Sequence, residues 1–512
     1  MSTKDTFLNE IIEGNTTKGD FIPIGAAMLD GETITDAHVK IPLKTMNRHG
    51  LIAGATGTGK TKSLQVLAEN LSDKGIPVLL MDIKGDLSGI AQPSTGHAKI
   101  DERHEKIGIP FEAKNFPVEI LTLSQQEGVR LRATVSEFGP VLLSRILDLS
   151  EAQSGIVSVI FQYCDNNNMP LLDLKDFKKI LQYATQEGKD EFTEAYGRIS
   201  TASTGAILRK IVELEQQGAD LFFGETSFEV DDLLRVNNEG KGFINILRLT
   251  DIQDKPKLFS TFMLSLLAEI YSTFPEQGDS DQPELIIFID EAHLIFKEAS
   301  KALLNQIESI VKLIRSKGVG LYFVTQTPTD VPEEVLGQLG LKIQHALRAF
   351  TAKDRKAIKL TAQNYPESKY YDTTELLTSL GIGEALVSAL DEKGRPTPLA
   401  ATMMRAPMSR MDVLTDTELS DLLSQSKLIE KYNKTIDRES AYEMLNKKIE
   451  VAQKDDLKEK AKAEEKEIKK AATKTTSNRR KSTAMNPVVK VLTSATFIRS
   501  VFGILTKVMK NR

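Results

Sequence analysis

The chain has 512 residues, of which 40% are hydrophobic and 27% charged, and its formal net charge is −5. The length suggests about three domains or one domain with a large insertion, and the composition excludes wholesale disorder. The single cysteine, Cys164, excludes an intramolecular disulfide and a cysteine-based zinc site, and it fits a reducing compartment. No apolar run approaches the roughly 20 residues of a membrane helix, and the start carries no secretory core. We therefore expect a soluble, cytoplasmic protein.

Residues 1–48 are mixed in character and predict a short β-rich lead-in rather than a separate domain. An α/β pattern follows, in which short apolar strands alternate with helical spacing. The strands are predicted at 51–53, 77–81 and 118–122, and the helix at 63–72. Such alternation is typical of a parallel sheet covered by helices, so residues 49–123 are predicted to begin an α/β core.

Residues 124–240 show helical spacing with few strand signals and predict a helical insertion in this core. Its helical segments are predicted around 141–147, 156–163, 177–183 and 207–214. The α/β pattern resumes over 241–408. Strands are predicted there at 243–247, 285–289, 320–324, 343–347 and 385–390, and helices at 256–271, 300–316 and 352–361.

Two segments follow the core. Residues 409–485 are rich in Lys, Glu and Ala, which predicts a charged, solvated helical linker. In residues 486–512, apolar side chains recur every three or four positions among basic ones, which predicts a basic amphipathic helix. Residues 441–512 carry a net charge of +10 and residues 1–440 a net charge of −15. The basic tail suits docking onto the protein's own assembly, a nucleic acid or a membrane surface, and these alternatives stay open.

A phosphate-binding loop is predicted between the first strand and helix of the core. Residues 54–61, Gly-Ala-Thr-Gly-Thr-Gly-Lys-Thr, fit the pattern G-x-x-x-x-G-K-[ST] in the required context. Glycines allow a tight turn whose N–H groups face a phosphate, and the helix start adds its positive dipole end. Lys60 would reach the β- and γ-phosphates, and the Thr61 hydroxyl would bind Mg²⁺. The predicted nucleotide-binding residues here are Gly54, Ala55, Thr56, Gly57, Thr58, Gly59, Lys60, Thr61 and Lys62.

An acid pair follows a second strand of the core. The run Leu285–Ile289 is purely apolar and leads directly into Asp290 and Glu291. A buried parallel strand of this kind delivers carboxylates to the sheet edge where open α/β sheets bind ligands. Asp290 is predicted to hold the magnesium site and Glu291 to polarise the attacking water. Paired acids favour hydrolysis over simple nucleotide binding.

Further polar residues stand near other strand ends. Asp82 ends the strand at 77–81 and is predicted to contribute to nucleotide binding, while Gln326 follows the strand at 320–324 and could sense the γ-phosphate. Arg315 precedes that strand by a few residues. An arginine placed there could act on the site of a neighbouring subunit, since phosphoryl transfer is often assisted by an arginine finger.

Four sequence blocks together resemble one family of ATPases. The blocks are residues 47–61, residues 82–89 (Asp-Ile-Lys-Gly-Asp-Leu-Ser-Gly), residues 290–293 (Asp-Glu-Ala-His) and residues 344–350 (Gln-His-Ala-Leu-Arg-Ala-Phe). Over about residues 20–410, the chain is similar to the bacterial HerA-like ATPases of the DUF853 or YjgR family, within the HerA/FtsK group of P-loop motors.

The resemblance implies a RecA-like P-loop core, ATP and Mg²⁺ as cofactors, and a hexamer with ATP between subunits. It implies that Lys60 and Thr61 are the residues that bind phosphate and Mg²⁺. It likewise implies that Glu291 is the catalytic glutamate and that Gln326 is the sensor of the γ-phosphate. Arg315 is then the favoured arginine acting across subunits, with Arg348 second. The residues themselves do not distinguish ATP from GTP.

Two functions are therefore expected, of which the first rests on this family likeness. The first is a ring-forming ATPase that moves along double-stranded DNA. The second is a nucleotide-switched assembly ATPase that docks a protein or membrane partner through the helical insertion and the tail. Two departures from relatives bear on this choice, since we see neither a long N-terminal β-barrel nor a C-terminal winged-helix pattern.

Overall fold

The computed structural model describes residues 3–476 except 279, 298–300, 435 and 437. It divides into two units, Met1–Leu445 and Asn446–Arg512. The predicted basic helix at 486–512 lies outside the described residues. Among the described residues, no helix combines the length and apolarity needed to cross a bilayer.

Twelve strands of the first unit form one sheet. Their bounds are β1 Phe21–Leu29, β2 Glu32–Pro42, β3 Gly50–Ala53, β4 Val78–Asp82, β5 Val118–Thr122, β6 Val129–Arg130, β7 Ile244–Arg248, β8 Leu285–Ile289, β9 Val319–Thr325, β10 Leu341–His345, β11 Glu384–Ser388 and β12 Ala400–Met404.

Seventeen α-helices are described. They are α1 Thr3–Gly14, α2 Lys60–Asp73, α3 Ala98–Ile107, α4 Val135–Ile146, α5 Glu151–Asn166, α6 Leu174–Tyr183, α7 Lys189–Tyr196, α8 Thr201–Gln216, α9 Pro256–Thr273, α10 His293–Lys297, α11 Lys301–Ile314, α12 Glu333–Leu336, α13 Ala352–Gln363, α14 Thr373–Ser379, α15 Asp416–Ser424, α16 Lys427–Tyr432 and α17 Ala441–Thr476. A short 3-10 turn, Arg315–Lys317, separates α11 from β9.

The strand order places the glycine-rich loop near the middle of the sheet. The order is β2-β1-β12-β11-β10-β3-β9-β8-β4-β7-β5-β6. The eight strands from β10 to β6 run parallel, whereas β11, β12, β1 and β2 pair antiparallel at one side. The carboxyl ends of β3, β9, β8 and β4 therefore share one edge, which is where open α/β sheets bind ligands.

Helix α2 is fixed on the sheet by a stripe of apolar side chains. Leu64, Leu67, Ala68 and Leu71 recur at helical spacing, and all four are buried in the main core. The same core contains residues of β3, β4, β8 and β9. The packing of α2 thus fixes the direction in which its first turn points.

The sequence located the core elements well. Strands β5 and β8 have the predicted bounds, and the other predicted strands and helices are confirmed with shifted ends. The mixed α/β architecture with a mostly parallel sheet is confirmed as well. Between residues 124 and 240, helices α4 to α8 confirm the helical segments predicted there, while the domain limits themselves stay predictions.

Two expectations about the ends of the core were incomplete. Residues 1–48 contain helix α1 and two long strands that continue the central sheet through the pairing of β1 with β12. The expectation of a solvated segment from residue 409 onward does not hold for Tyr432 and Leu445, which are fully buried. These aromatic and apolar side chains pack α16 and the start of α17 into the first unit.

The described part of the second unit continues α17 to Thr476. Side chains 451–467 are all exposed, in agreement with the predicted solvation of this stretch. Charge pairs one helical turn apart, such as Lys469 with Glu465 at 2.8 Å, support the helix in place of apolar packing.

Candidate nucleotide-binding site

The glycine-rich loop joins β3 to α2. Gly59 directly precedes the helix and has φ +119°, a left-handed conformation that favours glycine. A Cβ atom at this position would also lie 3.2 Å from the Cα atom of Gly383. The tight path of residues 54–59 therefore depends on glycine for both its backbone angle and its space.

Residues next to β10 and β11 hold the loop in place. The backbone N–H of Ala55 donates to the carbonyl of Ala346 at 2.8 Å, and that of Gly383 donates to the carbonyl of Thr58 at 3.0 Å. The loop is thus anchored at two points to residues that are almost 300 or more positions away in sequence.

His345 lies fully buried beneath the loop. Its Nδ1 lies 2.8 Å from the carbonyl oxygen of Glu384, and its Nε2 lies 2.9 Å from the hydroxyl of Ser63 in α2. A carbonyl only accepts, so Nδ1 carries the proton and Nε2 accepts from Ser63. Burial, opposed by the hydrogen bond to Glu384 and assisted by the positive charge of Lys60, lowers the pKa of His345 to about 4. The ring is therefore neutral at neutral pH.

Lys60 opens α2 and is buried at the loop. Its Nζ donates to the carbonyl oxygens of Gly54 at 2.7 Å and Ala55 at 3.1 Å. Burial, followed by the positive charge of Lys84, lowers the pKa of Lys60. Thr61 is half-buried in the same helical turn, whereas Thr56 and Gly57 at the loop tip are exposed.

The predicted acid pair follows β8 at the same sheet edge. One strand, β9, separates β3 from β8, which places the pair about 10 Å from the loop across the sheet. Asp290 and Glu291 are 4% and 8% exposed. Burial raises the pKa of Asp290 to about 6, with Lys84 opposing and Glu291 adding to the shift. Glu291 has φ +45°, which is uncommon for a residue other than glycine, and strained backbone conformations of this kind cluster at functional sites.

Lys84, for which the sequence predicts no role, completes this charge cluster. Its Nζ lies 2.7 Å from Oε1 of Glu291 and 3.9 Å from Oδ2 of Asp290. Burial lowers the pKa of Lys84, but the two carboxylates outweigh burial and raise it overall. The signal in the sequence was a lysine two residues after a strand that ends at the ligand-binding edge.

Two residues predicted to bind nucleotide have protein partners. The Asp82 carboxylate accepts from the backbone N–H groups of Gly85, Asp86 and Leu87 at 2.7, 3.3 and 3.1 Å. It thereby fixes the loop that carries Lys84. Burial, and after it the charge of Asp86, raises the pKa of Asp82 to about 6.

Lys62, the other such residue, donates to the carbonyl oxygen of Met411 at 2.7 Å. This contact joins the first turn of α2 to the segment after β12. Direct contact of Asp82 or Lys62 with a nucleotide stays a prediction.

The remaining predicted residues occupy both edges of the sheet. Gln326 follows β9 between the loop and the acid pair and is exposed. Arg348 follows β10 at the same edge and donates to the carbonyl of Thr378 at 3.2 Å. Arg315 is exposed in the turn before β9, so it lies at the opposite, amino edge. The structure brings Lys60, Asp290 and Gln326 to one edge and keeps Arg315 away from them.

The oxygen atoms of Thr61 and Asp290 fit a magnesium ion that is also bound by a phosphate ligand. No group of three or more His, Cys, Asp or Glu side chains that could hold a metal occurs among residues with described positions. Mg²⁺ is usually held by one or two protein oxygens together with waters and substrate phosphates. The hydroxyl of Thr61 and the carboxylate of Asp290 offer such oxygens beside a phosphate-binding loop.

Comparison with known proteins identifies the family. The model of the family described as "Helicase HerA-like C-terminal" matches residues 28–511. This chain belongs to the HerA-like helicase family. Its relatives include the DNA double-strand break repair helicase HerA of Sulfolobus acidocaldarius, 21% identical over 359 residues, and that of Sulfurisphaera tokodaii, 24% identical over 361 residues. Each alignment covers 69% of this HerA-like chain and 64% of the relative, so the chain spans less than two thirds of these relatives.

Solved structures with the same fold include the bacterial conjugative coupling protein TrwBdeltaN70. Its unbound form matches this HerA-like chain with a TM-score of 0.50 and 15% identity, over 80% of this chain and 94% of the other. TrwB in complex with the non-hydrolysable GTP analogue GDPNP also matches with a TM-score of 0.50, at 14% identity, over 78% and 99% of the two chains. These matches show a shared P-loop α/β fold.

Proposed function

We propose that this HerA-like chain is a Mg²⁺-dependent ATPase that forms a ring in the cytoplasm and acts as a motor on double-stranded DNA. The observation that carries the proposal is the placement of Lys60 and the Asp290–Glu291 pair at one edge of the sheet, one strand apart. A phosphate-binding loop facing a buried acid pair is the arrangement that NTP hydrolysis requires.

Each residue of this edge then has a defined task. The N–H groups of residues 54–59 and the Lys60 ammonium bind the phosphates, and Glu291 accepts a proton from the attacking water. Gln326 contacts the γ-phosphate. Thr61 and Asp290 hold Mg²⁺, which supplies charge neutralisation and orients the phosphates when bound.

The position of Arg315 excludes a role in the nucleotide site of its own chain. The seven residues of β9 separate it from the carboxyl edge by roughly 20 Å, a distance that an arginine side chain cannot cover. If Arg315 assists hydrolysis, it therefore acts on the site of a neighbouring subunit. Arg348 follows β10 at the same edge as its own loop, so it is the arginine that could act within one subunit.

Action on DNA rests on the family relationship, since the two relatives described above are named as DNA double-strand break repair helicases. The net charge of −15 over residues 1–440 does not oppose this proposal. Six copies around a central pore need few basic residues each to contact the phosphate backbone.

The deciding experiment is the steady-state ATPase rate of the purified chain with and without double-stranded DNA, at low and moderate salt. We expect DNA to stimulate the rate and salt to weaken this stimulation steeply, because phosphate contacts release counterions. Lys60→Ala serves as the inactive control. A rate that DNA leaves unchanged would favour the alternative, an assembly ATPase whose insertion or tail docks a protein or membrane partner.

A further inference from the structure

The ion pair between Lys84 and Glu291 is built into a rigid part of the protein. The loop after β4 is held by three backbone N–H groups that donate to the Asp82 carboxylate. The side-chain amide of Gln253 also donates to the carbonyl of Ile83 at 2.7 Å. Lys84 therefore extends from a backbone that is fixed on both sides of it.

The two oxygens of Glu291 have different surroundings. Oε1 lies 2.7 Å from the Lys84 ammonium. Oε2 is buried and makes no hydrogen bond to any described residue, although Nδ1 of His293 lies 3.3 Å away. Buried carboxylate oxygens normally accept a hydrogen bond, so Oε2 is the oxygen of Glu291 that keeps its capacity to accept one.

We propose that Lys84 is a positioning residue that holds Oε1 of Glu291 and thereby leaves Oε2 to accept the proton of the attacking water. This inference rests on the proposed ATPase function. In the step itself, the water oxygen bonds to the γ-phosphorus and the bond from that phosphorus to the β–γ bridging oxygen breaks. One water proton moves to Oε2, and ADP and inorganic phosphate leave.

Loss of the Lys84 side chain should slow ATP hydrolysis and leave nucleotide binding nearly unchanged. In Lys84→Met the Glu291 carboxylate loses its cation and stays buried beside Asp290, so it turns away from the water position. We expect kcat to fall about 10- to 100-fold, as misplaced catalytic groups do. The affinity for nucleotide should change by less than about threefold, because Lys60 and the loop N–H groups remain. Lys84→Arg, which keeps the charge, should recover most of kcat.

A matched control is Lys74→Met. The Lys74 side chain is 39% exposed, as is that of Lys84, and it pairs with Asp20 at 3.0 Å. It lies just beyond the opposite end of α2 from the glycine-rich loop. We expect this variant to keep the kcat of the wild type.

The test combines single-turnover ATP hydrolysis with binding of fluorescent ADP and ATP analogues to the full chain. A selective loss of ATP-analogue affinity in Lys84→Met would overturn the proposal, because it would mean that Lys84 binds the γ-phosphate itself. An unchanged kcat would overturn it too. If the wild type does not hydrolyse ATP, the proposed function fails first.

Thermal unfolding gives a readout that does not depend on hydrolysis. Lys84→Met should lower Tm in the wild-type background and lower it less in the Glu291→Gln background, where the ion pair is already lost. Equal shifts in the two backgrounds would show that Lys84 does not hold Glu291, whatever the ATPase result.

Discussion

His345→Ala should destabilise the protein and weaken nucleotide binding together. The side chain is 0% exposed and joins Ser63 in α2 to the carbonyl of Glu384. Loss of the two hydrogen bonds costs about 1 kcal/mol each. Truncation of a fully buried ring adds about 1–3 kcal/mol for the cavity that it leaves. We therefore expect the free energy of unfolding to fall by about 3–5 kcal/mol.

The structure also gives a reason for His345→Ala to lower the affinity for nucleotide. A Cβ atom at Gly54 would lie 2.5 Å from the Cβ of His345, and one at Gly59 would lie 3.4 Å from its Cε1. His345 thus lies beneath both ends of the glycine-rich loop, with its Cβ near Gly54 and its ring near Gly59. Without the ring, the loop N–H groups are less well fixed, so nucleotide affinity should fall along with stability.

Urea unfolding followed by circular dichroism measures the first effect, and titration with a fluorescent nucleotide measures the second. Ser63→Ala is the matched control, because it removes the bond to Nε2 and leaves the imidazole in place. It should cost about 1 kcal/mol. If His345→Ala cost no more than Ser63→Ala, the ring would have no packing role beneath the loop, and our account of loop support would be wrong.

Three further predictions concern the same site. Glu291→Gln should bind nucleotide but retain it without turnover, measured by filter binding and phosphate release; normal turnover would refute its role as the base. Arg315→Ala subunits mixed into wild-type rings should inhibit their partners, whereas a simple proportional dilution of activity would argue against action across subunits. Finally, folding lowers the pKa of His345 from 6.5 to about 4. The unfolded chain therefore binds a proton at His345 between these pH values, while the folded protein does not. The stability that His345 contributes is fully present above pH 6.5 and is lost as the pH falls towards 4. The difference in unfolding free energy between wild type and His345→Gln should shrink by up to about 3 kcal/mol over that range; a constant difference would mean that His345 does not titrate in this way.

The sequence predicted what lies within a single segment of chain. The strands β5 and β8 are short apolar runs bounded by polar residues, and burial on both faces makes such runs easy to recognise. The glycine-rich loop is likewise contained in eight consecutive residues with a strand before and a helix after.

The parts that were missed depend on pairings between distant segments. Strand β1 pairs with β12 through residues such as Gly25 and Met404, which are nearly 380 positions apart in sequence. No local sequence pattern predicts that pairing. Helix α1 buries only Phe7 and Ile11, which is too weak an apolar stripe to predict a helix.

The same reason explains the gaps in the predicted site. Lys84 and His345 both stand in sequence blocks that resemble the family, yet their roles follow from strand order. Lys84 meets Glu291 because β4 lies beside β8, and His345 supports the loop because β10 lies beside β3. Strand order in a parallel sheet is set by long crossovers, which the sequence pattern of each strand does not reveal.

Strand direction also decides how much of the chemistry one chain can supply. Lys60, Lys84, Asp290 and Gln326 all belong to the carboxyl edge, whereas Arg315 belongs to the amino edge. One copy therefore brings a phosphate-binding loop, an acid pair and a cation that pairs with those acids, but its Arg315 cannot reach its own site. Arg348, by contrast, lies at the same edge of the sheet as the glycine-rich loop of its own chain. Inhibition of wild-type subunits by Arg315→Ala subunits in mixed rings would thus show that Arg315 acts on the nucleotide site of a neighbouring subunit. The surface that carries Arg315 would then have to face the nucleotide of that subunit.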